Sequence, residues 1–163
     1  MESKYSLDRN GEGYQDLTAC EAIKRVTRQE KNKVRFVIPG EPVAKERPRR
    51  DKRTGNFYTP RKTQNFETVC SLAYGNRHYF RGNNLRVSIL FKFKVPKSYS
   101  KKDKDKALKG EIRPSKKDLD NCIKSVLDGL NNKAWKDDRC IHEIIASKVF
   151  AEKSEIVVEI EEI

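Results

Sequence analysis

The feature that most constrains the fold is an alternation of apolar and polar residues in the segment LRVSILFKFKV. Apolar side chains occupy every second position from Leu85 to Val95, and the positions between them are polar or basic except for Leu90. Successive side chains of a β-strand point to opposite faces of its sheet. A period of two therefore predicts a strand with one buried face and one solvated face.

Further segments predict strands at both ends of the main domain. KVRFVIPG alternates over residues 34–38 and is closed by Pro39 and Gly40. IHEIIASKVFA and EIVVEIEEI lie near the end of the sequence, separated by Lys153 and Ser154. We expect these last two strands to pair as a tight antiparallel hairpin.

Three segments of the same region predict helices. The first is expected to begin at Pro60, with Thr59 as its N-cap, and to run to about residue 79. We expect this helix to bury the residues Phe66, Val69, Cys70 and Ala73. The second helix follows a lysine-rich loop and ends near Gly110. The third runs from about residue 118 to residue 132, and its apolar residues fall on one arc.

Helices and strands are therefore mixed along the chain, and we predict an α+β (mixed α/β) fold. We assign residues 34–163 to a single domain in which helices pack on a mixed β-sheet. Residues 1–33 form an N-terminal extension, partly helical or disordered, with one short amphipathic helix expected between residues 17 and 26. Nothing in this extension resembles a catalytic motif.

The charge balance points to an anionic partner. The 163 residues include 36 Lys and Arg against 24 Asp and Glu, which gives a formal net charge of +12. A basic protein of this size suggests nucleic acid, although a solvated basic surface is the structural alternative. No apolar run approaches the roughly 20 residues of a membrane span, and the N-terminus lacks a signal peptide. We therefore expect a cytoplasmic protein, associated with the nucleoid when bound to DNA, and no membrane partner.

The basic charge is concentrated in one loop, residues 45–62. This loop has eight basic and two acidic residues, so it supplies half of the net charge. The candidate DNA-binding residues are Lys45, Arg47, Arg49, Arg50, Lys52, Arg53, Arg61 and Lys62. Within the loop, RTGNFY predicts a hairpin turn. Its aromatic residues, Phe57 and Tyr58, either stack on DNA or pack into the core, and we expect core packing.

The candidate chemistry begins in KDLDNCIK, at the start of the third helix. Asp120, Lys124 and Asp128 lie at i, i+4 and i+8, so they form a row beside the apolar arc. Asp118 points away from Asp120 in a continuous helix, but the two carboxylates can converge if Asp118 is still extended. Simple capping by the acids and an i,i+4 ion pair for Lys124 are structural alternatives.

A second acidic pair, Asp137 and Asp138, follows in WKDDR, where Trp135 and the next strand could fold it back toward the helix. Carboxylates gathered at one place repel one another unless a cation neutralises them. Hard oxygen ligands suit magnesium. Together with the basic loop, this arrangement suggests metal-assisted cleavage of a phosphodiester. The four cysteines are scattered singly, which argues against a zinc site.

The segment KKDLDNCIKSVLDGLNNKAWKDDRCI closely resembles the RusA family of Holliday-junction resolvases. In that family DLDN is followed by a lysine, an aspartate in the helix and a DD pair before a strand. The upstream segments IPGEPVAKERPRR and YTPRKT resemble the branch common in phages and prophages. The resemblance covers residues 34–163. Departures are Lys117, where proline is frequent, and the pair Arg139 and Cys140, where polar residues are usual.

The resemblance implies roles for particular residues. Asp118, Asp120 and Asp138 match the metal-binding catalytic acids, and Lys124 matches the essential lysine. Supporting positions are matched by Asn121, Asp128 and Asp137. The resemblance also implies a magnesium or manganese cofactor, a homodimer, and paired nicks across a four-way DNA junction. Two rival hypotheses stay open, namely a non-catalytic DNA-binding accessory protein and a nuclease for other branched nucleic acids.

Overall fold

A computed structural model of the chain describes residues 33–82 and 84–163. The helix predicted between residues 17 and 26 lies outside the described residues. The strands are β1 (Lys33–Pro39), β2 (Arg49–Arg50), β3 (Phe57–Tyr58), β4 (Leu85–Lys94), β5 (Ile141–Ala151) and β6 (Glu155–Glu162). The helices are α1 (Arg61–Tyr74), α2 (Lys101–Leu108) and α3 (Leu119–Leu130), and a short 3-10 turn spans Asp138–Cys140. The predicted α+β class is confirmed.

The larger sheet has the strand order β1-β6-β4-β5. β4 pairs with β5 in parallel and with β6 antiparallel, and β1 pairs with β6 antiparallel, so the sheet is mixed as predicted. The alternation in β4 is also confirmed, because the apolar positions from Leu85 to Phe93 are buried. The opposite face carries ion pairs, including Lys92 with Glu155 at 2.9 Å between Nζ and Oε1.

The predicted hairpin between β5 and β6 is wrong, because β4 lies between these two strands. Strands separated by one neighbour lie about 10 Å apart, and the link from Ala151 to Glu155 is long enough to span that gap. The link passes the end of β4, where the backbone N–H of Lys94 donates to Ser154 Oγ at 3.0 Å. The short connection between β5 and β6 therefore does not make these two strands neighbours in the sheet.

Helix α1 differs from its predicted boundaries at both ends. Pro60 occupies the N-cap position in place of Thr59, and no side chain caps the helix. The helix ends at Tyr74 because Gly75 adopts a φ of +62°, a left-handed conformation that favours glycine. Phe66 and Cys70 are buried as predicted, and Tyr74 joins them in the core.

Helices α1 and α3 pack against each other, and the core lies between them and the sheet. Trp135 is fully buried just after α3, and its Nε1–H donates to Asn131 Oδ1 at 2.8 Å. This bond fixes the chain as it leaves the helix toward β5. Among the described residues, no helix is both long and apolar enough to cross a membrane.

Candidate active site

The start of α3 presents two carboxylates. Asp118 is the N-cap residue and is extended (φ −70°, ψ 137°), whereas Asp120 lies in the first helical turn. Both residues are exposed, and the Asp118 side chain makes no capping hydrogen bond. Asn121 Nδ2 donates to Asp118 Oδ2 at 3.4 Å. The extended backbone is the conformation in which the two carboxylates can converge. Because the Asp118 side chain makes no capping hydrogen bond, simple capping does not explain this residue.

Neighbouring segments hold the start of α3 in place. Lys117 adopts a φ of +69°, which is unusual for a residue other than glycine. Its Nζ pairs with Glu41 Oε1 at 2.8 Å and also donates to the carbonyl of Pro42. Its own carbonyl accepts from Lys148 Nζ, on β5, at 2.7 Å. The surroundings therefore impose the strained backbone that precedes Asp118.

The row Asp120, Lys124 and Asp128 is divided between solvent and an ion-pair network. Lys124 is exposed, whereas Asp128 Oδ2 lies 2.7 Å from Lys45 Nζ. Lys45 Nζ also donates to Glu67 on α1. The ion pairs found in the described part of the chain do not include Lys124. The proposed i,i+4 pairing of Lys124 is therefore not observed there.

Lys45 was a candidate DNA-binding residue, but its ammonium is already paired with two carboxylates. Its backbone N–H also donates to the carbonyl of Asn121 at 2.8 Å. Burial alone lowers the pKa of Lys45, but its hydrogen bonds to Asp128 and Glu67 outweigh that effect and raise the pKa. Lys45 therefore braces α1 against α3 beneath the row of acids.

We expect Lys45→Met to destabilise the fold by about 1–3 kcal/mol, because two half-buried carboxylates lose their shared cation. Chemical denaturation measures this loss. Lys62→Met is the matched control, since Lys62 is exposed at the start of α1. Equal free energies of unfolding for the two variants would contradict the bracing role.

The second acidic pair lies in the 3-10 turn before β5. Asp137 Oδ1 accepts from the backbone N–H of Arg139 at 3.0 Å and from its Nε at 2.9 Å. These two bonds lower the pKa of Asp137 to about 2, so this carboxylate stays ionised at neutral pH. Asp138 is exposed. The turn therefore leaves Asp138 as the accessible acid of the pair.

The chain does not fold this pair back onto Asp118 and Asp120. Helix α3 has 12 residues, which span about 18 Å, and the acids stand at its opposite ends. Lys148, on β5, contacts the start of α3 through the carbonyl of Lys117. About 23 Å of strand separates Lys148 from Ile141, the first residue of β5 after the acidic pair. Within residues 33–82 and 84–163, no three His, Cys, Asp or Glu side chains form a cluster that could hold a metal ion.

An open cleft of about 760 Å³ adjoins the Asp137 turn. Its basic lining residues are Arg81, Lys136, Arg139 and His142. Of these, Lys136 and Arg139 directly flank the DD pair in the sequence. Their position is the sequence signal that could have indicated a basic cleft beside the acids. The basic cleft can bind phosphate groups beside Asp138.

The basic loop carries the two-stranded hairpin β2–β3, in which Arg49 pairs with Tyr58 and Arg50 with Phe57. The aromatic side chains are 73% exposed for Phe57 and 49% exposed for Tyr58, so the expected core packing is wrong. A hairpin of two-residue strands has too little surface to bury them. The remaining DNA-binding candidates are also exposed, and they are Arg47, Lys52, Arg53, Arg61 and Lys62.

Comparisons with known proteins identify the family of this chain. The sequence model of a nuclease family described as endodeoxyribonuclease RusA matches residues 39–161. A Bacillus subtilis (strain 168) protein, the uncharacterized protein YqaN, is 36% identical over 137 residues. The aligned region covers 80% of this chain and 96% of that relative. The chain belongs to the RusA family of endodeoxyribonucleases.

Proposed function

We propose that the protein is a metal-dependent endodeoxyribonuclease that resolves four-way DNA junctions by paired symmetric nicks, in recombination and repair. The observation that carries this proposal is the pair of exposed carboxylates, Asp118 and Asp120, held at a braced helix start in a RusA-family chain. The proposal predicts that a synthetic four-way junction is nicked only when a divalent metal is present.

Magnesium or manganese fits the donors of this site, because carboxylate oxygens are the ligands that these hard cations prefer. Asp118, Asp120 and Asp138 would hold the ion. When bound, the ion supplies an activated water and neutralises charge on the scissile phosphate. Asn121 would orient Asp118 through the hydrogen bond between them.

Lys124 supplies a second positive charge one turn beyond Asp120. Its side chain is exposed, so its ammonium is free to approach the scissile phosphate or the leaving oxygen. A fixed cation at that place stabilises the charge that develops in the transition state. Asp128 is paired with Lys45, and Asp137 with Arg139, so both support the site through their neighbours.

Asp138 can join the other two acids if it comes from a second copy of the chain. β5 is an edge strand of the sheet, and it exposes Ile144 (45%) on one face and Ile145 (59%) on the other. An apolar edge of this kind favours pairing with another strand. Antiparallel pairing of two β5 strands about a twofold axis at Glu143, next to the exposed Ile144, would bring Asp138 of one copy level with Lys148 of the other. Lys148 marks the start of α3.

A mixing experiment tests this composite site. Asp120→Asn and Asp138→Asn are each expected to be inactive, but their heterodimer has one intact site. With random pairing, a 1:1 mixture should recover about a quarter of wild-type nicking, as single rather than paired nicks. A mixture of Asp118→Asn with Asp120→Asn is the control and should recover nothing. Failure of the first mixture, with subunit exchange demonstrated, would place the site within one chain.

The hairpin β2–β3 is the candidate element for contacts at the branch point. Phe57 and Tyr58 offer exposed rings on which bases can stack, and the arginine and lysine residues around them can contact phosphates. The turn that joins the strands is ordered by Asp51, which accepts from the backbone N–H of Arg53 at 2.8 Å and from Thr54 Oγ1 at 3.0 Å. Lys52 and Arg53 therefore stand at a defined tip.

Replacing Lys52 and Arg53 by alanine should weaken junction binding and lower its salt dependence. Each lost phosphate contact reduces the slope of log affinity against log salt by about 1. Titrations at several salt concentrations measure that slope. The control replaces Arg35, which lies on β1, and Lys153, which lies in the link between β5 and β6. Both residues are exposed, so the control removes the same charge from another part of the surface. Equal slopes for the two variants would exclude the hairpin tip from the DNA interface.

A further inference from the structure

A second cleft adjoins the start of α3, and nothing in the proposed reaction uses it. Its volume is about 340 Å³, at the lower end of the range of small-molecule sites. The rings of Phe93, Tyr99 and Phe150 line it. Phe93 and Phe150 are register partners on the parallel strands β4 and β5. The Tyr99 ring meets Phe150 edge-on, with 5.8 Å between centroids.

The rim of this cleft is basic and polar. Lys94 and Lys116 line the cleft, and Lys117 Nζ lies 5.6 Å from the centroid of the Phe93 ring. Glu41 and three serine residues also line it, so its lining is partly polar. An apolar floor with a cationic rim fits a flat aromatic group that is joined to an anion, as a nucleobase is joined to its phosphate.

The position of the cleft relates it to the DNA strand. Lys116 is two residues before Asp118, so the cleft begins within about 7 Å of backbone from the candidate metal ligands. On its other side, Tyr99 is followed by α2, whose sequence KKDKDKAL is rich in exposed lysine. A strand that runs from the α2 lysines to Asp118 would therefore pass over the cleft.

We propose that this cleft binds one unstacked nucleobase of the strand that is cut, next to the scissile phosphate. The inference rests on the proposed function, because that function places the scissile phosphate at Asp118 and Asp120. Proteins that hold single strands combine a cationic path for the backbone with aromatic rings for the bases. Enzymes acting on nucleic acid also use pockets for bases taken out of the stack. This combination is present along the path described above, which leads from the lysine-rich α2 to the three rings and then to the acids.

The test is a binding experiment in which calcium replaces magnesium, so that its readout does not depend on cleavage. Four-way junctions carry one abasic nucleotide at each position near the branch in turn. For the wild-type protein, one position should weaken binding by roughly 5- to 100-fold, the range measured for loss of base stacking. The Tyr99→Ala variant should bind the intact junction more weakly by the same factor, and the abasic nucleotide at that position should not weaken its binding further. Tyr99→Phe, which keeps the ring, should behave as the wild type.

A second measurement needs no variant and therefore no assumption about folding. A 2-aminopurine at the sensitive position should change its fluorescence when the wild-type protein binds, because its stacking partner changes. If no position responds, or if Tyr99→Ala keeps the wild-type abasic profile, the inference is wrong. If the effect of the abasic position depends on Tyr99 but the protein never nicks DNA, the base-binding cleft is supported and the proposed nuclease activity is contradicted. If the protein nicks the junction but the effect of the abasic position does not depend on Tyr99, only the base-binding role of the cleft is wrong.

Discussion

Asp120→Asn should reduce nicking of a four-way junction by about a thousandfold or more, because the amide keeps the shape of the side chain but removes a negative metal ligand. Binding of the junction should be unchanged or tighter, since the variant removes one charge that repels phosphate. Both quantities are measured on the same preparation, the first as initial nicking rate with magnesium and the second as Kd without it.

The control for this variant is Asp105→Asn. Asp105 is an exposed helical acid on α2, paired with Lys109 at 2.8 Å between Oδ2 and Nζ. It has the same charge as Asp120 and is also exposed, but it lies outside the candidate metal site, so its loss should leave nicking within about twofold of wild type. Full activity of Asp120→Asn would remove this residue from the site. An unfolded Asp120→Asn protein would give it a structural role, which its exposure at the helix start does not suggest.

Gly129→Ala should cause a large loss of stability although it adds only one methyl group, because Gly129 is buried where α3 packs against α1. A Cβ added at Gly129 would lie 2.7 Å from Cys70 Cβ, 2.9 Å from the carbonyl oxygen of Glu67 and 3.0 Å from its Cα. Two of these atoms belong to the backbone of α1, so no side-chain rotation relieves the clash, and α1 and α3 must separate. A clash with backbone should cost about 3–4 kcal/mol, at the upper end for an overpacked site, and the gain of about 1 kcal/mol in helix propensity from alanine leaves a net cost of about 2–3 kcal/mol.

Thermal unfolding checks this prediction, and the midpoint should fall by roughly 5–15 °C for a domain of this size. Thr68→Ala is the control, because Thr68 lies on the exposed side of α1 and its replacement adds no steric conflict. Its midpoint should stay constant or rise slightly. If Gly129→Ala were as stable as Thr68→Ala, the close contact between α1 and α3 would be incorrect.

The local parts of the fold could be predicted from the sequence, whereas the connections between distant elements could not. The alternation of β4 and the apolar arc of α3 reflect side-chain periodicity within a single element, and both are confirmed. The order of strands depends on which surfaces fit together in three dimensions. The link of three residues between β5 and β6 looked like a hairpin, yet it spans β4.

The candidate site divides along the same line. Asp118 and Asp120 are two residues apart, and the extended N-cap that allows them to converge follows from local helix geometry. The predicted approach of Asp138 required the chain to reverse, but a rigid helix of 12 residues separates the two ends. Phe57 and Tyr58 were expected in the core because they are aromatic, and only the short strands of the hairpin explain why they are exposed.

The central claim is that this RusA-family chain is a nuclease for four-way junctions. The most direct test compares nicking of an immobile four-way junction with nicking of a duplex that has one of the same arm sequences, with and without magnesium. We predict paired nicks at symmetry-related positions of the junction, only with magnesium, and an intact duplex. Binding without nicking in every condition would support a non-catalytic DNA-binding protein. Equal cleavage of junction and duplex, or of other branched DNAs in preference to the junction, would contradict the proposed substrate.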